Sequence, residues 1–200
     1  MNIVLIRHFQ TPGNLVGNYI GVTDEDLIPI NEELNKSIYP KVNKIYVSPL
    51  KRCVQTAELI YPGQAIRVKE NLKECNFGRF ENKNYQDLSV DESYQKWVDC
   101  GGKMKFPEGE DPEEFKSRCS EAFLECMNEC LEENETSVAL VVHGGTIMSI
   151  MEAFDTDGKG FYEYQVKNGN GYVLRLNEEQ WKNGDRKLLC ISTLEKEMRR

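Results

Sequence analysis

The chain contains only two histidines, and each follows a short apolar run that is typical of a buried strand. His8 comes one residue after the run Asn2–Ile6, and His143 comes directly after the run Ser137–Val142. In α/β sheets ligands bind beyond the carboxyl ends of the strands, which is where both histidines are expected. A neutral imidazole can act there as a nucleophile. A lone histidine is more often a surface or core residue, so the prediction depends on the neighbours of these two.

Those neighbours favour binding of a doubly charged oxyanion. Arg7 precedes His8, and a guanidinium at a buried strand end needs an anion, for which phosphate has the matching geometry. Arg52 lies in the first turns of a predicted helix after another strand, where it could equally be a surface residue. Gly144 and Gly145 follow His143 and leave backbone N–H groups free near a helix start, which is an anion site.

Reaction at a phosphate ester also needs a proton donor for the leaving oxygen. Glu74 is a candidate, because it follows a predicted edge strand at Ile66–Val68. A loop glutamate is usually solvated, and the chain has 33 acidic residues, so Glu74 gains weight only from a wider pattern.

Such a pattern exists, and with it the chain resembles the histidine phosphatase superfamily, whose members are similar to phosphoglycerate mutase. The resemblance covers about residues 2 to 155 in the family's order and spacing, and includes the complete segment Ser-Pro-x-x-Arg-x-x-x-Thr-Ala at residues 48–57. The other matching positions are Arg7, His8, Thr11, Asn14, Gly21, Asp24, Leu27, Glu74, Gly78, Gly109, Glu110, Asp111, Arg118, His143, Gly144 and Gly145.

The resemblance implies roles for these residues. His8 attacks phosphorus and forms a phosphohistidine, while Glu74 protonates the leaving oxygen and then helps water to attack. Arg7, Arg52 and His143 are implied to hold the phosphoryl oxygens and to offset their charge in the transition state. The remaining implied substrate-binding residues are Thr11, Asn14, Gly21 and Gly144. The resemblance implies no metal and no cofactor, because three cationic side chains supply the positive charge that a metal would provide.

The chain departs from the family pattern at a few positions. Phe9 stands where the family usually has glycine, so its ring must point away from the phosphate or alter the pocket. Gln10 replaces a common glutamate, which is expected to be tolerated. The segment from Ile30 to Lys44 is shorter than usual, which predicts an abbreviated first helix. None of these changes removes a catalytic group.

Strands and helices alternate along the chain, which predicts an α/β sheet covered on both faces. The expected fold is a three-layer α/β/α sandwich with a mostly parallel sheet. The resemblance implies that this fold is phosphoglycerate mutase-like and has one antiparallel strand, which the segment after Asn170 could supply. Ser48 and Pro49 are predicted to be the N-cap and first residue of one helix, and Asp111 the N-cap of another.

Residues 1–200 are expected to form one domain, with residues 75–110 as an insert that caps the site. Within it, aromatic residues could line a lid or form a satellite core: Tyr94, Trp97 and Phe106.

The composition of the chain excludes some classes of binding partner. The net charge of −8 argues against nucleic acid, and no apolar run approaches the about 20 residues that a membrane span needs. The N-terminal run lacks the features of a signal peptide, so a cytoplasmic location is expected. Cysteines on the apolar phase of a helix pattern read as small buried hydrophobes: Cys119, Cys126 and Cys130. The expected partner is a small-molecule phosphate ester, and the oligomeric state stays open.

The leading hypothesis is a metal-independent phosphatase of the branch that includes the alpha-ribazole phosphatases. One alternative is a phosphoglycerate mutase, but mutases usually carry an adjacent arginine pair in the insert, and residues 75–110 contain only Arg79. Another is a phospho-ligand-binding module with weak or no turnover, for which Phe9 is the sole support.

Overall fold

A six-stranded sheet lies at the centre of the part of the chain that the computed structural model describes, residues 1–29 and 36–195. The strands are, in chain order, β1 (Asn2–Arg7), β2 (Lys44–Val47), β3 (Arg67–Val68), β4 (Ser137–Val142), β5 (Gly171–Leu176) and β6 (Leu188–Leu194). Their order across the sheet is β3-β2-β4-β1-β5-β6. β5 runs antiparallel to both of its neighbours, whereas the other paired strands are parallel.

β1 and β4 are the two central strands, and their register aligns the two histidines. Both strands are apolar on both faces and almost fully buried, as expected for parallel strands beneath two helix layers. They pair from Asn2 with Ser137 to Arg7 with Val142. His8 and His143 therefore leave the sheet side by side at the carboxyl ends of β1 and β4.

Helices cover both faces of this sheet. Those of the described residues are α1 (Pro12–Leu15), α2 (Lys51–Ile60), α3 (Glu92–Asp99), α4 (Pro112–Glu132), α5 (Gly144–Phe154) and α6 (Glu178–Lys182). On one face, Ala57 of α2 shares a hydrophobic cluster with Val141 of β4. On the other, Phe123 of α4 and Ile147 of α5 pack in a cluster with Leu140. The predicted α/β/α sandwich is thus confirmed, and the antiparallel strand lies where the sequence indicated it.

Helix α4 follows its sequence pattern closely. It begins after Asp111, whose side chain accepts hydrogen bonds from two N–H groups of the first turn, so this predicted N-cap is confirmed. The three cysteines of its apolar face are buried free thiols, as predicted for small hydrophobes: Cys119, Cys126 and Cys130. No helix in the described residues combines the length and apolarity needed to cross a membrane.

The start of helix α2 differs from the prediction. The helix begins at Lys51, and its N-cap is Leu50, which makes no side-chain capping bond. Ser48 was expected to cap it, but the Ser48 hydroxyl lies 2.7 Å from Nε2 of His143 instead. Ser48 directly follows the last residue of β2 and is fully buried, so its nearest strong partner is a side chain from the neighbouring strand end.

Residues 75–110 hold a 3-10 helix (Gly78–Phe80) and helix α3, and they share a small hydrophobic cluster with Phe115 and Cys119 of α4. Tyr94 and Phe106 are buried in this cluster, which also includes Phe80, and Trp97 packs against it. Trp97 stacks on Tyr94 with ring centroids 6.1 Å apart. Of the two readings left open, the satellite core therefore describes these aromatic residues. Of the segment expected to be abbreviated, residues 30–35 lie outside the described residues, and residues 36–38 form a 3-10 helix.

Candidate active site

His8 is buried at the carboxyl end of β1, with one ring nitrogen committed. Nδ1 lies 2.6 Å from the backbone carbonyl oxygen of Phe9. A carbonyl only accepts hydrogen bonds, so Nδ1 carries the ring proton and Nε2 keeps its lone pair. Burial, followed by the nearby charge of Arg52, holds the pKa of His8 well below its ordinary value of 6.5. At neutral pH the ring is therefore uncharged and can act as a nucleophile through Nε2.

His143 faces His8 and is held at both ring nitrogens. The two ring centroids are 5.2 Å apart. The Nε–H of Arg52 donates to Nδ1 of His143 over 3.3 Å, which leaves Nε2 to carry the proton and donate to the Ser48 hydroxyl at 2.7 Å. Burial, then the charge of Arg52, lowers the pKa of His143 well below 6.5. His143 thus orients the Arg52 guanidinium, and its own N–H points to Ser48.

Within the described residues, Arg7 has more unused hydrogen-bonding capacity than Arg52, whose three nitrogens all donate. Its Nη1 donates to the Val166 carbonyl at 2.7 Å, while its buried Nε has no partner among the described residues. Burial lowers the pKa of Arg7, yet an arginine stays charged at physiological pH. An unpaired buried donor costs about 1–3 kcal/mol, more for a charged group, and an oxyanion bound at this guanidinium would satisfy it. Gly144, at the start of α5, lies against the same guanidinium, and amides of a first helical turn are free to bind an anion.

Glu74 contacts Gly145, the second residue of α5, and is almost fully buried. Its two carboxylate oxygens accept hydrogen bonds from the N–H groups of Cys75 and Gly145, each at 3.0 Å. Burial raises the pKa of Glu74 above its ordinary value of 4.5, although these N–H groups and the arginines act in the opposite direction. A Cβ at position 145 would overlap Oε1 of Glu74, so a larger residue there would displace the carboxylate from this position. A carboxyl group with a raised pKa can serve as a general acid.

Thr11 and Asn14 form a small hydrogen-bonded turn beside His8. Thr11 caps helix α1, and its N–H donates to Oδ1 of Asn14 at 3.3 Å. The same Oδ1 accepts from Nδ2 of Asn168 at 3.1 Å, and Nδ2 of Asn168 also donates to the His8 carbonyl at 3.0 Å. Asn168 reaches this site because the segment before β5 contacts the end of β1, where the Gly169 N–H donates to the Arg7 carbonyl at 2.9 Å.

Phe9 points away from this constellation. Its ring is buried in the cluster beneath α2, 6.3 Å from the ring of Tyr39, and packs closely on Gly169. Its backbone N–H donates to the Thr56 hydroxyl at 2.9 Å. The departure from the family glycine therefore adds core packing and leaves the face with Nε2 of His8 clear.

Gly21 contacts Arg52 through its backbone. Its carbonyl oxygen accepts from Nη2 of Arg52 at 2.7 Å, and the Thr23 carbonyl accepts from Nη1 at 2.7 Å. Arg52 is fully buried, so these carbonyls determine the direction of its guanidinium. The predicted residues at this site thus converge, and Gly21 reaches it by holding Arg52.

A cleft of about 340 Å³ opens beside Glu74, which is the one residue of the buried site that lines it among the described residues. Arg118 lines the cleft and forms a salt bridge with Glu110 at 2.8 Å, so the lining carries one positive and one negative charge at this point. The residues that line the cleft are Val22, Glu70, Asn71, Lys73, Glu74, Asn76, Gly109, Glu110 and Arg118.

A neutral imidazole, two arginines and a carboxyl group of raised pKa at one edge of an α/β sheet are the groups that a phosphoryl-transfer enzyme needs. The chain matches the family model of the histidine phosphatase superfamily (branch 1) over residues 3–185, and it belongs to this family.

Individual relatives agree with this assignment. A putative phosphoserine phosphatase 2 of Hydrogenobacter thermophilus is 32% identical over 74% of this chain and 76% of its own length. The crystal structure of the alpha-ribazole phosphatase from Shigella flexneri superposes with a TM-score of 0.76 at 20% identity, covering 98% of this chain and 96% of that one. A phosphoglycerate mutase structure from Thermus thermophilus superposes with a TM-score of 0.68 at 23% identity, covering 98% and 100%. The predicted family, the phosphoglycerate mutase-like fold and the phosphatase class of enzyme are confirmed.

Proposed function

We propose that this chain is a metal-independent phosphomonoesterase that acts on a small phosphorylated metabolite through a phosphohistidine on His8. The observation that carries the proposal is the tautomer of His8. Because Nδ1 donates to the Phe9 carbonyl, Nε2 offers its lone pair beside two arginines in a buried site. The positive charge that a metal supplies in other phosphatases comes here from Arg7 and Arg52.

In the first step, Nε2 of His8 attacks phosphorus as the bond between phosphorus and the ester oxygen breaks. Glu74 donates its carboxyl proton to that oxygen, which leaves as an alcohol. Nε of Arg7, which has no partner among the described residues, donates to a phosphoryl oxygen, and Arg52 contributes positive charge. Thr11, Asn14 and the Gly144 N–H complete the pocket in this proposal.

In the second step, the Glu74 carboxylate accepts a proton from water while the water oxygen attacks phosphorus. The bond between phosphorus and Nε2 breaks, inorganic phosphate leaves, and both His8 and Glu74 return to their starting states. The raised pKa of Glu74 suits both directions of this proton transfer.

Substrate choice belongs to the cleft and to residues 75–110, which we propose as the cap of a single domain spanning residues 1–200. Asn76, Gly109 and Glu110 contribute this segment's side of the cleft next to Glu74. The names of the relatives make phosphoserine and alpha-ribazole phosphate the first substrates to test. A cytoplasmic location is part of the proposal, because all seven cysteines are free thiols, as a reducing compartment keeps them.

Neither alternative gains support from the geometry. In the segment where a mutase would carry two arginines, Arg79 pairs with Asp91 at 3.6 Å and lies away from the histidines. The binding-module hypothesis rested on Phe9, whose ring is buried in the core.

The test is phosphate release from a panel of phosphomonoesters, with and without chelator, by wild type and His8→Ala. The panel contains phosphoserine, alpha-ribazole phosphate, phosphoglycerates, sugar phosphates and an aryl phosphate. Chelator-resistant release that is lost in His8→Ala is expected, together with acid-labile radioactive phosphate on the wild-type protein after quenching. Absence of release from every ester would overturn the proposal, and a mutase assay primed with a bisphosphate would then test the transferase.

A further inference from the structure

A single carboxylate, that of Glu81, organises the loop that holds Arg52. Its oxygens accept the N–H of Gly21 at 3.1 Å, the N–H of Val22 at 3.0 Å and the hydroxyl of Thr23 at 2.8 Å. The carbonyls of residues 20, 21 and 23 in turn accept from the Arg52 guanidinium. The loop of residues 20–23 is therefore held between one anion and one cation.

The peptide group between Gly21 and Val22 shows this arrangement most directly. Its C=O accepts from Nη2 of Arg52 at 2.7 Å, and its N–H donates to Oε1 of Glu81 at 3.0 Å. The peptide dipole thus points its negative end at the guanidinium and its positive end at the carboxylate. Each bond polarises the other through the same amide, and both are charge-assisted. Removing the carboxylate weakens the hold of the loop on Arg52 without touching Arg52.

Two further contacts tie the loop to the same segment. A Cβ at position 21 would overlap the Cys75 carbonyl and Oε1 of Glu81, so only glycine allows this approach. Nδ2 of Asn82 donates to the Thr23 hydroxyl at 3.0 Å, and its backbone N–H donates to the Tyr19 carbonyl at 2.9 Å. The loop therefore takes its position from residues 81 and 82 of the 75–110 segment.

We propose that Glu81 is a positioning residue of the phosphatase reaction, which acts on the transferred phosphoryl group through the 20–23 loop and Arg52. The inference rests on the proposed role of Arg52. It makes the 75–110 segment a support of the catalytic arginine as well as a wall of the substrate cleft. Glu81 itself touches no reacting atom.

Glu81→Gln is the first variant to test, because an amide keeps the size of the side chain but removes its charge and turns one acceptor into a donor facing the loop N–H groups. Loss of one or two charge-assisted bonds corresponds to about a 10- to 100-fold fall in kcat. KM should change less, because Arg7 still binds the ground-state phosphate. The inhibition constant of orthovanadate, which mimics the transition state, should rise with the loss in kcat.

Asp91→Asn is the matched control. Asp91 is also a carboxylate of the 75–110 segment, it accepts from the N–H groups of Ser93 and Tyr94, and it pairs with Arg79. It makes no bond with the 20–23 loop among the described residues, so kcat should stay within about twofold of wild type. An equal loss in Asp91→Asn would mean that any damage to the segment lowers activity, and it would overturn the inference.

A double-mutant cycle with Arg52→Lys tests the positioning role of Glu81 separately from the proposed phosphatase function. If Glu81 acts through Arg52, then Glu81→Gln in the Arg52→Lys background should lower kcat no further. Losses that multiply would overturn the positioning role while leaving the phosphatase intact. Full activity in Arg52→Lys and in His8→Ala would instead overturn the proposed function. Thermal melting checks each fold, and if Glu81→Gln fails to fold, Glu81→Asp carries the same cycle, with a smaller loss because its charge is kept.

Discussion

Replacing Glu74 by glutamine should separate the two steps of the proposed reaction. The variant cannot donate a proton to an alkoxide leaving group, so release of an alkyl alcohol should slow by about 10²- to 10⁴-fold, the usual contribution of a general acid. p-Nitrophenolate needs no proton to leave, so its release from p-nitrophenyl phosphate should slow much less. Attack of water on the phosphohistidine still needs Glu74 as a base, so the second step should slow for every substrate.

The assay is a rapid-mixing measurement with p-nitrophenyl phosphate. Glu74→Gln should give a fast burst of p-nitrophenol close to one equivalent per site, followed by slow turnover, with labelled phosphate trapped on His8. Glutamine also leaves one of the N–H groups of Cys75 and Gly145 without an acceptor, since its amide nitrogen must face one of them. That loss should lower the free energy of unfolding by about 1–3 kcal/mol, which chemical denaturation measures.

The outcome that contradicts the reasoning is specific. If alkyl and aryl phosphates slow by the same factor in the burst phase, Glu74 does not protonate the leaving group. If turnover of both is unchanged, Glu74 takes part in neither step. The Asp91→Asn variant is again the control, because it removes a carboxylate that lies outside this site.

Two further predictions follow from burial at and beside the site. Because the pKa values of His8 and His143 lie below 6.5 in the folded state, the unfolded chain binds up to two more protons below that pH. Through these two groups, the free energy of unfolding should fall by up to about 2.7 kcal/mol for each pH unit below 6.5. The two imidazole C2–H signals should show no titration midpoint near 6.5 by NMR, and such a midpoint would refute the burial argument. Phe9→Ala removes a buried ring and should lower the free energy of unfolding by about 3–5 kcal/mol, measured by urea denaturation, with KM unchanged; a loss below about 1 kcal/mol would mean that the ring is not packed as described.

The ends of β1 and β4 were predictable because each strand is a short apolar run that ends in polar residues. A polar residue that follows such a run lies at the edge of the sheet. The sequence alone therefore places His8 and His143 together, and the family pattern adds Glu74, which no local signal distinguishes from other loop glutamates. The α/β/α layering followed from the same alternation of strands and helices.

The supporting residues were not predictable, for a physical reason. Ser48 precedes a proline and matches the N-cap preference, but a buried imidazole from β4 competes for its hydroxyl, and that competitor is 95 residues away in the chain. Glu81 has the same character, because its partners are backbone N–H groups some 60 residues earlier. Backbone partners leave no mark in side-chain composition, so a pattern of residue types cannot reveal them.

The central place of β1 has a consequence for how the chain folds. Residues 2–7 of β1 pair on one side with residues 137–142, and residues 2–6 pair on the other with residues 171–175, so both partners leave the ribosome long after β1 itself. Pairing over such separations is slow, because the loop entropy must be lost before any contact forms. A nascent chain therefore carries an unpaired apolar strand through most of its synthesis, with exposed edges that favour association with other chains. The strand that ends next to His8 is thus also a segment that needs protection while the protein is made.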